Sequence, residues 1–393
     1  MEREGVASID EALAAIMLQA ADASAGSVAA APTAATAGVV IDGRTVYLGG
    51  AGTADDGTPC ADAAASTVFV TASISKTFLA ALALQCTERG ELDLDADINV
   101  ALAQSGETTP GRVGNPHFSS DIMVTPRQLL MHRSGLADDE SNLEYGSPYR
   151  WPAGDAAAVS LAEYVQHELA RDATAATVNW SSTAPPGSAP YHYSNAGFAL
   201  LGLAVERAAG TPLPELARRR LFRPLGMDST AYFMSELCDE REKGSDTRPP
   251  VRFAAPRGQP EPRGHYEVAE YPAAQVRSTA ADLCRWLSFC TRPDLEPATE
   301  PKHVLGFESI EAMFPSTGRG ALAWWGMDAQ YSEKRRGQFE HGGFMQGVRT
   351  HIYLWPRSPE AKHASGCVVL LNGEASYDGV VSSIKQWLQV SKM

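Results

Sequence analysis

The chain has 393 residues, of which 44% are hydrophobic and 20% charged, a balance typical of a folded globular protein. Its net charge of -14 argues against a nucleic-acid partner, because binding phosphates requires an excess of lysine and arginine. No apolar run is long enough for a membrane-spanning helix. Six scattered cysteines without a C-x-x-C pair indicate reduced thiols, and their spacing does not suit a zinc site.

The N-terminal segment favours a folded helix. Ser8 and Glu11 form Ser-x-x-Glu, a capping box that predicts a helix start. The residues before it lack the basic-then-apolar order of a signal peptide, so we expect a cytoplasmic protein, with a removed export signal left open. Residues 25–36, rich in Ala, Ser, Thr and Pro, predict a linker or loop.

Strand patterns lie near both ends of the chain. Residues 37–41 and 44–48 are two β-rich runs joined by Asp42-Gly43, which predicts a hairpin with a two-residue turn. Near the C-terminus we predict three strands and a closing amphipathic helix, over residues 321–327, 348–355, 367–371 and 377–391. The short connections there favour antiparallel pairing.

The middle of the chain has helical patterns, at residues 125–130, 161–169 and 196–209, and a Pro- and Arg-rich stretch at 240–264 that predicts a long surface loop. We therefore predict an α/β protein of the α+β type. An antiparallel sheet of about five or more strands, built from both chain ends and flanked by helices, would form one domain (1–96 and 271–393). A mostly helical domain (97–270) would be inserted into it, with the active site between the two.

One candidate for covalent chemistry is Ser73, which begins a Ser-x-x-Lys sequence at the start of a helical pattern. Lys76 lies on the same helix face and can reach the serine hydroxyl, which needs a base to become a nucleophile. Burial and the helix dipole both disfavour the charged form of such a lysine. A second Ser-x-x-Lys, at 382–385, has no companion motif and is attributed to chance.

Two companion motifs follow at large spacing. Residues 193–195 are Tyr-Ser-Asn, in a loop that leads into a helix, and residues 341–343 are His-Gly-Gly, directly before a predicted strand. Taken alone, Tyr193 is explained equally well as a packed aromatic and Asn195 as a helix cap. His341 could equally be a hydrogen-bonded histidine, and the two glycines after it a turn. Together, and in this order, the three motifs resemble the serine β-lactamases and penicillin-binding proteins. The Tyr-x-Asn motif is similar to the class C branch, which includes D-alanyl-D-alanine carboxypeptidases, esterases, D-aminopeptidases and some acyltransferases.

Further stretches carry the same resemblance. The segments 129–136, 221–227 and 278–283 are similar to family sequences of the forms Leu-Leu-x-His-x-Ser-Gly-Leu, Ile-Phe-x-Pro-Leu-Gly-Met and Ser-x-x-Asp-Leu. The matches run from about residue 37 to 372, nearly the whole chain. His132, within the first of these stretches, is interpreted as structural.

The resemblance implies a role for each motif residue. Ser73 would be the acylated nucleophile, and Lys76 and Tyr193 would form the base system, with the identity of the base left open. A phenol near cations has its phenolate form favoured, so Tyr193 could exchange a proton with Ser73. Asn195 would orient Lys76 and a substrate carbonyl.

The third motif would complete the substrate-binding corner. His341 would stand where many relatives have lysine, and Gly343 would follow within the same motif. The backbone N–H groups of Ser73 and Phe344 would form an oxyanion hole.

Departures from the family pattern bear on the substrate. Relatives that bind a substrate carboxylate use a cationic third motif and a hydroxyl just beyond it. Here His341 is only partly protonated near neutral pH, and Phe344 has no hydroxyl. This favours an esterase or amidase with an apolar substrate side, whose pocket could be lined by aromatic and thioether side chains: Trp324, Trp325, Phe344 and Met345.

We therefore predict a serine hydrolase that cleaves small-molecule carboxylic esters. The alternatives are a β-lactamase or D-amino-acid peptidase or amidase, an acyltransferase of the same fold, and a non-catalytic binding relative. The chain has no Gly-x-Ser-x-Gly nucleophile elbow of the α/β-hydrolases. We expect no metal and no cofactor, and the sequence leaves the oligomeric state and the natural substrate open.

Overall fold

The computed structural model describes residues 2–22, 32–104, 111–138, 149–153, 159–170, 179–242, 252–256, 265–291, 304–315, 320–324, 338–356 and 363–390. The α-helices within these ranges are α1 (Glu2–Asp22), α2 (Cys60–Ala63), α3 (Ser75–Glu88), α4 (Ile98–Leu102), α5 (Pro126–Leu130), α6 (Leu161–Leu169), α7 (Asn195–Ala209), α8 (Leu213–Ala217), α9 (Met234–Glu242), α10 (Tyr271–Ala274), α11 (Ala280–Cys290), α12 (Phe307–Met313) and α13 (Asp378–Val390). The strands are β1 (Ala34–Ile41), β2 (Arg44–Gly52), β3 (Thr67–Val70), β4 (Leu136–Ala137), β5 (Arg150–Pro152), β6 (Asn179–Trp180), β7 (Arg252–Phe253), β8 (Tyr266–Val268), β9 (Arg277–Ser278), β10 (Phe339–Met345), β11 (Val348–Trp355) and β12 (Ser365–Leu371).

Both ends of the chain contribute to one five-stranded antiparallel sheet, in the order β10-β11-β12-β1-β2. The predicted hairpin is confirmed, since Asp42 and Gly43 have φ angles of 46° and 74°, as the favoured two-residue turn requires. The predicted sheet of about five antiparallel strands from both ends is also confirmed. Smaller sheets are β7-β3-β9, β4-β6 and β5-β8.

Helices cover both faces of the large sheet. On β1, the side chains of Ala35, Ala37 and Val39 join a core with α1 and α13, whereas Ala34 and Val40 face the main core. α11 packs on the main-core side of β1 and β12. Because both faces are buried, the residues of β1 and β12 are mostly apolar in succession and do not alternate with polar ones.

α3 passes through the main core, and every residue from Ser75 to Cys86 is buried. A helix that is apolar all round lies inside a protein, so the sequence of α3 dictates its central position. Lys76 is the one charged residue in this buried run. The fold therefore carries an amine into the interior, next to α7 and α10, which pack on α3.

The helix-rich middle of the chain is also as predicted. α5 and α6 begin with capping boxes, in which Thr125 pairs with Gln128 and Ser160 with Glu163. α6 spans the predicted residues 161–169, and α7 begins one residue before its predicted start at 196. The short strands β4 to β8 lie in the same region and were not predicted, because two or three residues are too few to show a period.

Three expectations about local structure need correction. α1 begins at Glu2, so Ser8 and Glu11 lie inside the helix and do not start it. Residues 321–324 form no strand, and the φ of 60° at Ala323 is incompatible with an extended chain. The predicted loop 240–264 contains β7, which pairs with β3. Residues 325–327, 243–251 and 257–264 lie outside the described ranges, as does most of the predicted linker.

Candidate active site

The predicted nucleophile Ser73 lies in a short 3₁₀ turn between β3 and α3, so the α-helix starts later than predicted. Ala72 has a φ of 48°, a left-handed conformation that costs a non-glycine residue about 1–2 kcal/mol. The Thr71 N–H and hydroxyl both donate to the Val276 carbonyl at 2.8 Å, and the Ser75 hydroxyl donates to the Ala72 carbonyl at 2.6 Å. The surroundings therefore hold a strained backbone next to Ser73.

Lys76 lies in the first turn of α3 and is 0% exposed. Its Nζ donates to Ser73 Oγ at 3.1 Å, to Asn195 Oδ1 at 2.6 Å and to the Ala273 carbonyl at 3.0 Å. These three bonds use all the hydrogens of an ammonium group and fix the amine beside the serine.

Burial lowers the pKa of Lys76 to about 7, because the low-polarity interior penalises the charged amine. The negative charges of Asp138 and Glu270 act in the opposite direction and raise the pKa, but by less than burial lowers it. An amine with this pKa is partly neutral at physiological pH and can accept a proton.

Tyr193 precedes α7, and its hydroxyl donates to Ser73 Oγ at 2.6 Å. The Lys76 amine lies 4.7 Å from the centroid of its ring, and the His132 ring stacks on it at 4.5 Å. Burial raises the pKa of Tyr193 well above its ordinary value, although the hydrogen bond with Ser73 lowers it. The expected phenolate is thus disfavoured, because burial outweighs the hydrogen bond with Ser73.

His132 contributes to the site as well as to the fold, which the sequence interpretation missed. Its Nδ1 accepts a hydrogen bond from the Ser194 N–H at 3.0 Å, directly after Tyr193. Burial lowers the pKa of His132 well below its usual range, and the Lys76 charge adds to this effect, so the ring is neutral. The stacked, neutral ring fixes the plane of the Tyr193 phenol.

Asp138 was also missed, because no motif marks it. It accepts hydrogen bonds from the Ser194 hydroxyl at 2.8 Å, from the Ala196 N–H at 3.1 Å and from the Asn195 N–H. A carboxylate at the N-terminus of α7 satisfies N–H groups that have no partner within the helix. It thereby fixes the segment that carries Tyr193 and Asn195.

β10 lies at the edge of the five-stranded sheet and packs against the Ser73 turn. A Cβ at Gly343 would lie 2.5 Å from the Thr71 carbonyl oxygen and 2.1 Å from Thr350 Oγ1, so only glycine fits this approach. The side chain of the next residue, Phe344, is 59% exposed. The third motif therefore reaches the turn through its backbone.

The His341 ring is buried, with Nδ1 2.8 Å from the Gly342 carbonyl oxygen. Burial lowers the pKa of His341 to about 3, and the Lys76 charge adds to this effect. The ring is thus neutral near pH 7, where the sequence suggested partial protonation. The described site has no cationic side chain at the position of the family lysine.

The residues predicted to line a substrate pocket differ in their exposure to solvent. Trp324 and Met345 are each 3% exposed, and the Trp324 ring packs on Phe314 with centroids 5.0 Å apart, so both belong to the core. Of the three predicted pocket residues that the structure describes, Phe344 is the exposed one. Trp325 lies outside the described residues.

The second Ser-x-x-Lys lies in α13, away from these groups. The amine of Lys385 is 5.1 and 5.8 Å from the ring centroids of Tyr353 and Trp355, on β11. The cation–π contacts of Lys385 account for its position without a catalytic role. Ser382 and Lys385 therefore provide matched control positions for the pair at 73 and 76.

The chain is similar to known proteins over most of its length. The model of the Beta-lactamase family matches residues 21–389. The chain belongs to this family. Esterase EstB of Burkholderia gladioli is 31% identical over 336 residues, which cover 80% of this chain and 79% of the esterase.

Solved structures show the same fold at lower identity. The octameric penicillin-binding protein homologue from Pyrococcus abyssi has a TM-score of 0.68 at 20% identity, covering 98% of this chain and 78% of that one. D-amino acid amidase from Ochrobactrum anthropi SV3 has a TM-score of 0.63 at 19% identity, covering 98% and 99%. The family match and the esterase relative confirm the predicted family and the predicted serine-hydrolase class of enzyme.

Within the described ranges, none of the helices has the length and apolar composition of a membrane span, and no group of three His, Cys, Asp or Glu side chains is placed to hold a metal ion. Cys60, Cys86, Cys284, Cys290 and Cys367 form no disulfide.

Proposed function

We propose that this β-lactamase-family protein hydrolyses small, uncharged carboxylic esters through an acyl-enzyme on Ser73. The observation that carries the proposal is the pair of contacts on Ser73 Oγ, from the Tyr193 hydroxyl at 2.6 Å and the Lys76 amine at 3.1 Å. A nucleophile within hydrogen-bond reach of a base that is itself oriented by a third group is the arrangement that covalent catalysis requires. Asn195, bonded to the Lys76 amine, is that third group.

Acylation begins with a neutral Lys76, whose two hydrogens stay on Asn195 Oδ1 and the Ala273 carbonyl while its lone pair accepts the hydrogen bond of the Ser73 hydroxyl. The amine takes the Ser73 proton while Ser73 Oγ bonds to the acyl carbon, and the carbonyl electrons move to the oxygen. The N–H groups of Ser73 and Phe344 stabilise this oxyanion, within the corner formed by Gly343 and His341. Lys76 is assigned as the base because its pKa is lowered to about 7, whereas that of Tyr193 is raised.

Collapse of the tetrahedral intermediate breaks the ester C–O bond. The leaving alkoxide takes the Tyr193 hydroxyl proton, and the Lys76 ammonium returns a proton to the phenolate. The acyl-enzyme then reacts with water, which loses its proton through the same pair of groups. Ser73 is released with its proton, so the enzyme ends as it began.

The substrate class follows from the charge of the third motif. His341 is neutral, and Phe344 presents an exposed ring where a hydroxyl would be needed to bind a carboxylate. An ester with an apolar acyl or alcohol group suits this corner better than an anionic β-lactam or peptide. The similarity to an esterase over four-fifths of the chain supports the same choice.

The first test is hydrolysis of p-nitrophenyl acetate and p-nitrophenyl butyrate by the wild type, Ser73→Ala and Ser382→Ala. We expect Ser73→Ala to lose at least a thousandfold in kcat/KM, since the nucleophile is removed, and Ser382→Ala to match the wild type. Equal turnover by wild type and Ser73→Ala would exclude the proposal.

Two further assays separate the alternatives. Fast, saturable turnover of nitrocefin would identify a β-lactamase, and ester or amide formation with an added alcohol or amine would identify an acyltransferase. We also propose that the chain is divided into a sheet domain (1–96 and 271–393) and an inserted domain (97–270). A cytoplasmic location is a further proposal.

A further inference from the structure

The turn between β10 and β11 directly follows Phe344, whose N–H is a proposed oxyanion donor. Met345 pairs with Val348, so Gln346 and Gly347 form a two-residue turn. In such a turn the N–H of the fourth residue donates to the carbonyl of the first, which makes Met345 and Val348 a hydrogen-bonded pair. Such pairs alternate with non-hydrogen-bonded ones along an antiparallel ladder, so the Phe344 N–H points away from β11, to the open side of the edge strand.

This turn has a conformation that does not by itself favour a hairpin. Gly347 has a φ of 76°, whereas the φ of Gln346 is not positive, which is the pattern of a type II turn. Two-residue hairpins favour types I′ and II′, because the twist of these turns matches the twist of the strands. The Asp42-Gly43 turn, with two positive φ angles, has a favoured form in the same sheet. The β10–β11 turn therefore depends on contacts from outside the hairpin.

Three side chains from other segments hold the two turn residues. The Tyr266 hydroxyl, on β8, donates to the Gln346 carbonyl at 3.1 Å. The Arg150 guanidinium, on β5, donates to Gln346 Oε1 at 2.9 Å. From the segment after β12, Glu374 Oε1 accepts the Gly347 N–H at 3.1 Å. The turn is thus bonded on both of its residues to parts of the chain far away in sequence.

The two donors on Gln346 belong to one rigid support. β5 and β8 pair with each other, and the Arg150 guanidinium carbon lies 3.5 Å from the centroid of the Tyr266 ring, a cation–π contact. The Tyr266 carbonyl accepts hydrogen bonds from the Arg277 guanidinium at 2.8 Å and from the Gln275 amide at 3.1 Å. Arg277 and Gln275 are both fully buried. The Tyr266 ring is therefore fixed at its backbone and on its face, and its hydroxyl has a defined position.

We propose that Arg150 and Tyr266 are positioning residues that hold the β10–β11 turn and thereby aim the Phe344 N–H at the oxyanion. The turn fixes the register of the hairpin, and a slip by one residue would exchange the outward and inward N–H groups of β10. An oxyanion is stabilised by donors that are in place before the reaction, so a turn that shifts weakens the transition state. The inference rests on the proposed function, in which Phe344 supplies one of these donors.

The test combines ester hydrolysis with two inhibitors, in Tyr266→Phe and Arg150→Met. Trifluoroacetophenone forms an adduct in which Ser73 Oγ bonds to the ketone carbon, the serine proton passes to Lys76 and the carbonyl electrons form an oxyanion. The corresponding alcohol, 1-phenyl-2,2,2-trifluoroethanol, has no carbonyl and reports ground-state binding alone. We expect kcat/KM for p-nitrophenyl butyrate to fall about tenfold in each variant, part of the effect of about 10²–10³-fold for losing an oxyanion donor. The Ki of the ketone should rise by the same factor, and that of the alcohol should not change.

Two further substitutions separate this role from a general effect on folding. Tyr149→Phe is the matched control, because it removes the hydroxyl of another tyrosine beside β5, one that donates to Glu168. It should equal the wild type in all three measurements. Glu374→Gln keeps an oxygen that accepts the Gly347 N–H and should also equal the wild type, whereas Glu374→Leu should raise the Ki of the ketone as Tyr266→Phe does.

The outcomes are distinct from those of the function test. A wild type without Ser73-dependent hydrolysis would remove the proposed function and this inference with it. An active wild type, with Tyr266→Phe and Arg150→Met folded and the Ki of the ketone unchanged, would overturn the positioning role alone. An equal rise in the Ki of the alcohol would also overturn it, because the turn would then act on ground-state binding. If Tyr266→Phe does not fold, Arg150→Met and the Glu374 pair of variants decide in the same way.

Discussion

At the scale of single residues, burial decides the chemistry of Lys76. An exposed lysine is almost wholly charged at neutral pH and cannot accept a proton. In the core, the loss of hydration lowers the pKa of Lys76 to about 7, while the same burial raises the pKa of the Tyr193 phenol. Opposite shifts in two neighbouring groups support the proposed division of tasks, with Lys76 as proton acceptor and Tyr193 as proton donor.

The pH dependence follows from the sign of this shift. In the proposed mechanism the active form is the neutral amine, so kcat/KM for p-nitrophenyl acetate should rise with pH and reach half of its plateau at about pH 7. Stopped-flow rates from pH 5 to 9 measure the limb, with the spontaneous hydrolysis of the ester subtracted. A rate that is still rising at pH 9, toward the ordinary lysine pKa of about 10, would contradict the lowered pKa of Lys76.

A charge-preserving substitution isolates the proton transfer. Arginine keeps a cation at position 76 but cannot be deprotonated in a protein, so Lys76→Arg should lose about 10²–10⁴-fold in kcat/KM. Lys385→Arg, in the chance copy of the motif, should behave as the wild type. If Lys76→Arg retains activity, the lysine acts only through its charge.

The motif residues could be predicted at this scale, but their buried partners could not. Ser73 and Lys76 lie three residues apart, and Tyr193 is recognisable by a local pattern. Asp138 and Glu270 reach the site from separate segments, and an isolated acidic residue has no periodicity that distinguishes it from a surface carboxylate. Only the tertiary structure shows that Glu270 is buried and Asp138 half-buried.

At the scale of elements, the approach of β10 to the Ser73 turn depends on the absence of a side chain at Gly343. This glycine does not have a positive φ, so the requirement is for space and not for a special backbone conformation. The edge strand can therefore bring the Phe344 N–H toward the turn, as an oxyanion hole would require.

Gly343→Ala tests this element directly. The added methyl group would press on the Thr71 carbonyl and Thr350 Oγ1, so β10 must move away from the turn. We expect kcat/KM to fall about 10²–10³-fold, as for the loss of an oxyanion donor, in a protein that still folds. Gly379→Ala, in α13 with open space around it, is the control. Full activity in Gly343→Ala, with a normal melting temperature, would contradict the account.

The start of α3 shows why element boundaries were harder to predict than elements. The helical pattern was evident, but the 3₁₀ turn depends on the left-handed Ala72, which local propensity disfavours. Hydrogen bonds from Thr71 to Val276, a distant residue, hold it there. The prediction of a strand was wrong at residues 321–324 for a similar reason, since apolar residues in a short run do not distinguish a strand from a buried loop.

At the scale of the whole molecule, the sheet explains how distant motifs meet. The Asp42-Gly43 hairpin and the C-terminal strands predicted a sheet made from both ends of the chain, and β1 pairs with β12. The strand order could not be predicted, because it depends on pairing between segments far apart in sequence. Once β12 lies beside β1, β10 falls at the edge, next to the turn that carries Ser73.

The most direct measurement is the site of reaction with a fluorophosphonate, which traps an activated serine as a stable adduct. Intact-mass analysis and peptide mapping should show one phosphonyl group, on Ser73, in the folded wild type and in Ser382→Ala. Labelling should be absent in Ser73→Ala and much slower in Lys76→Arg. An unlabelled wild type, or equal labelling of wild type and Ser73→Ala, would contradict the claim that the fold activates Ser73.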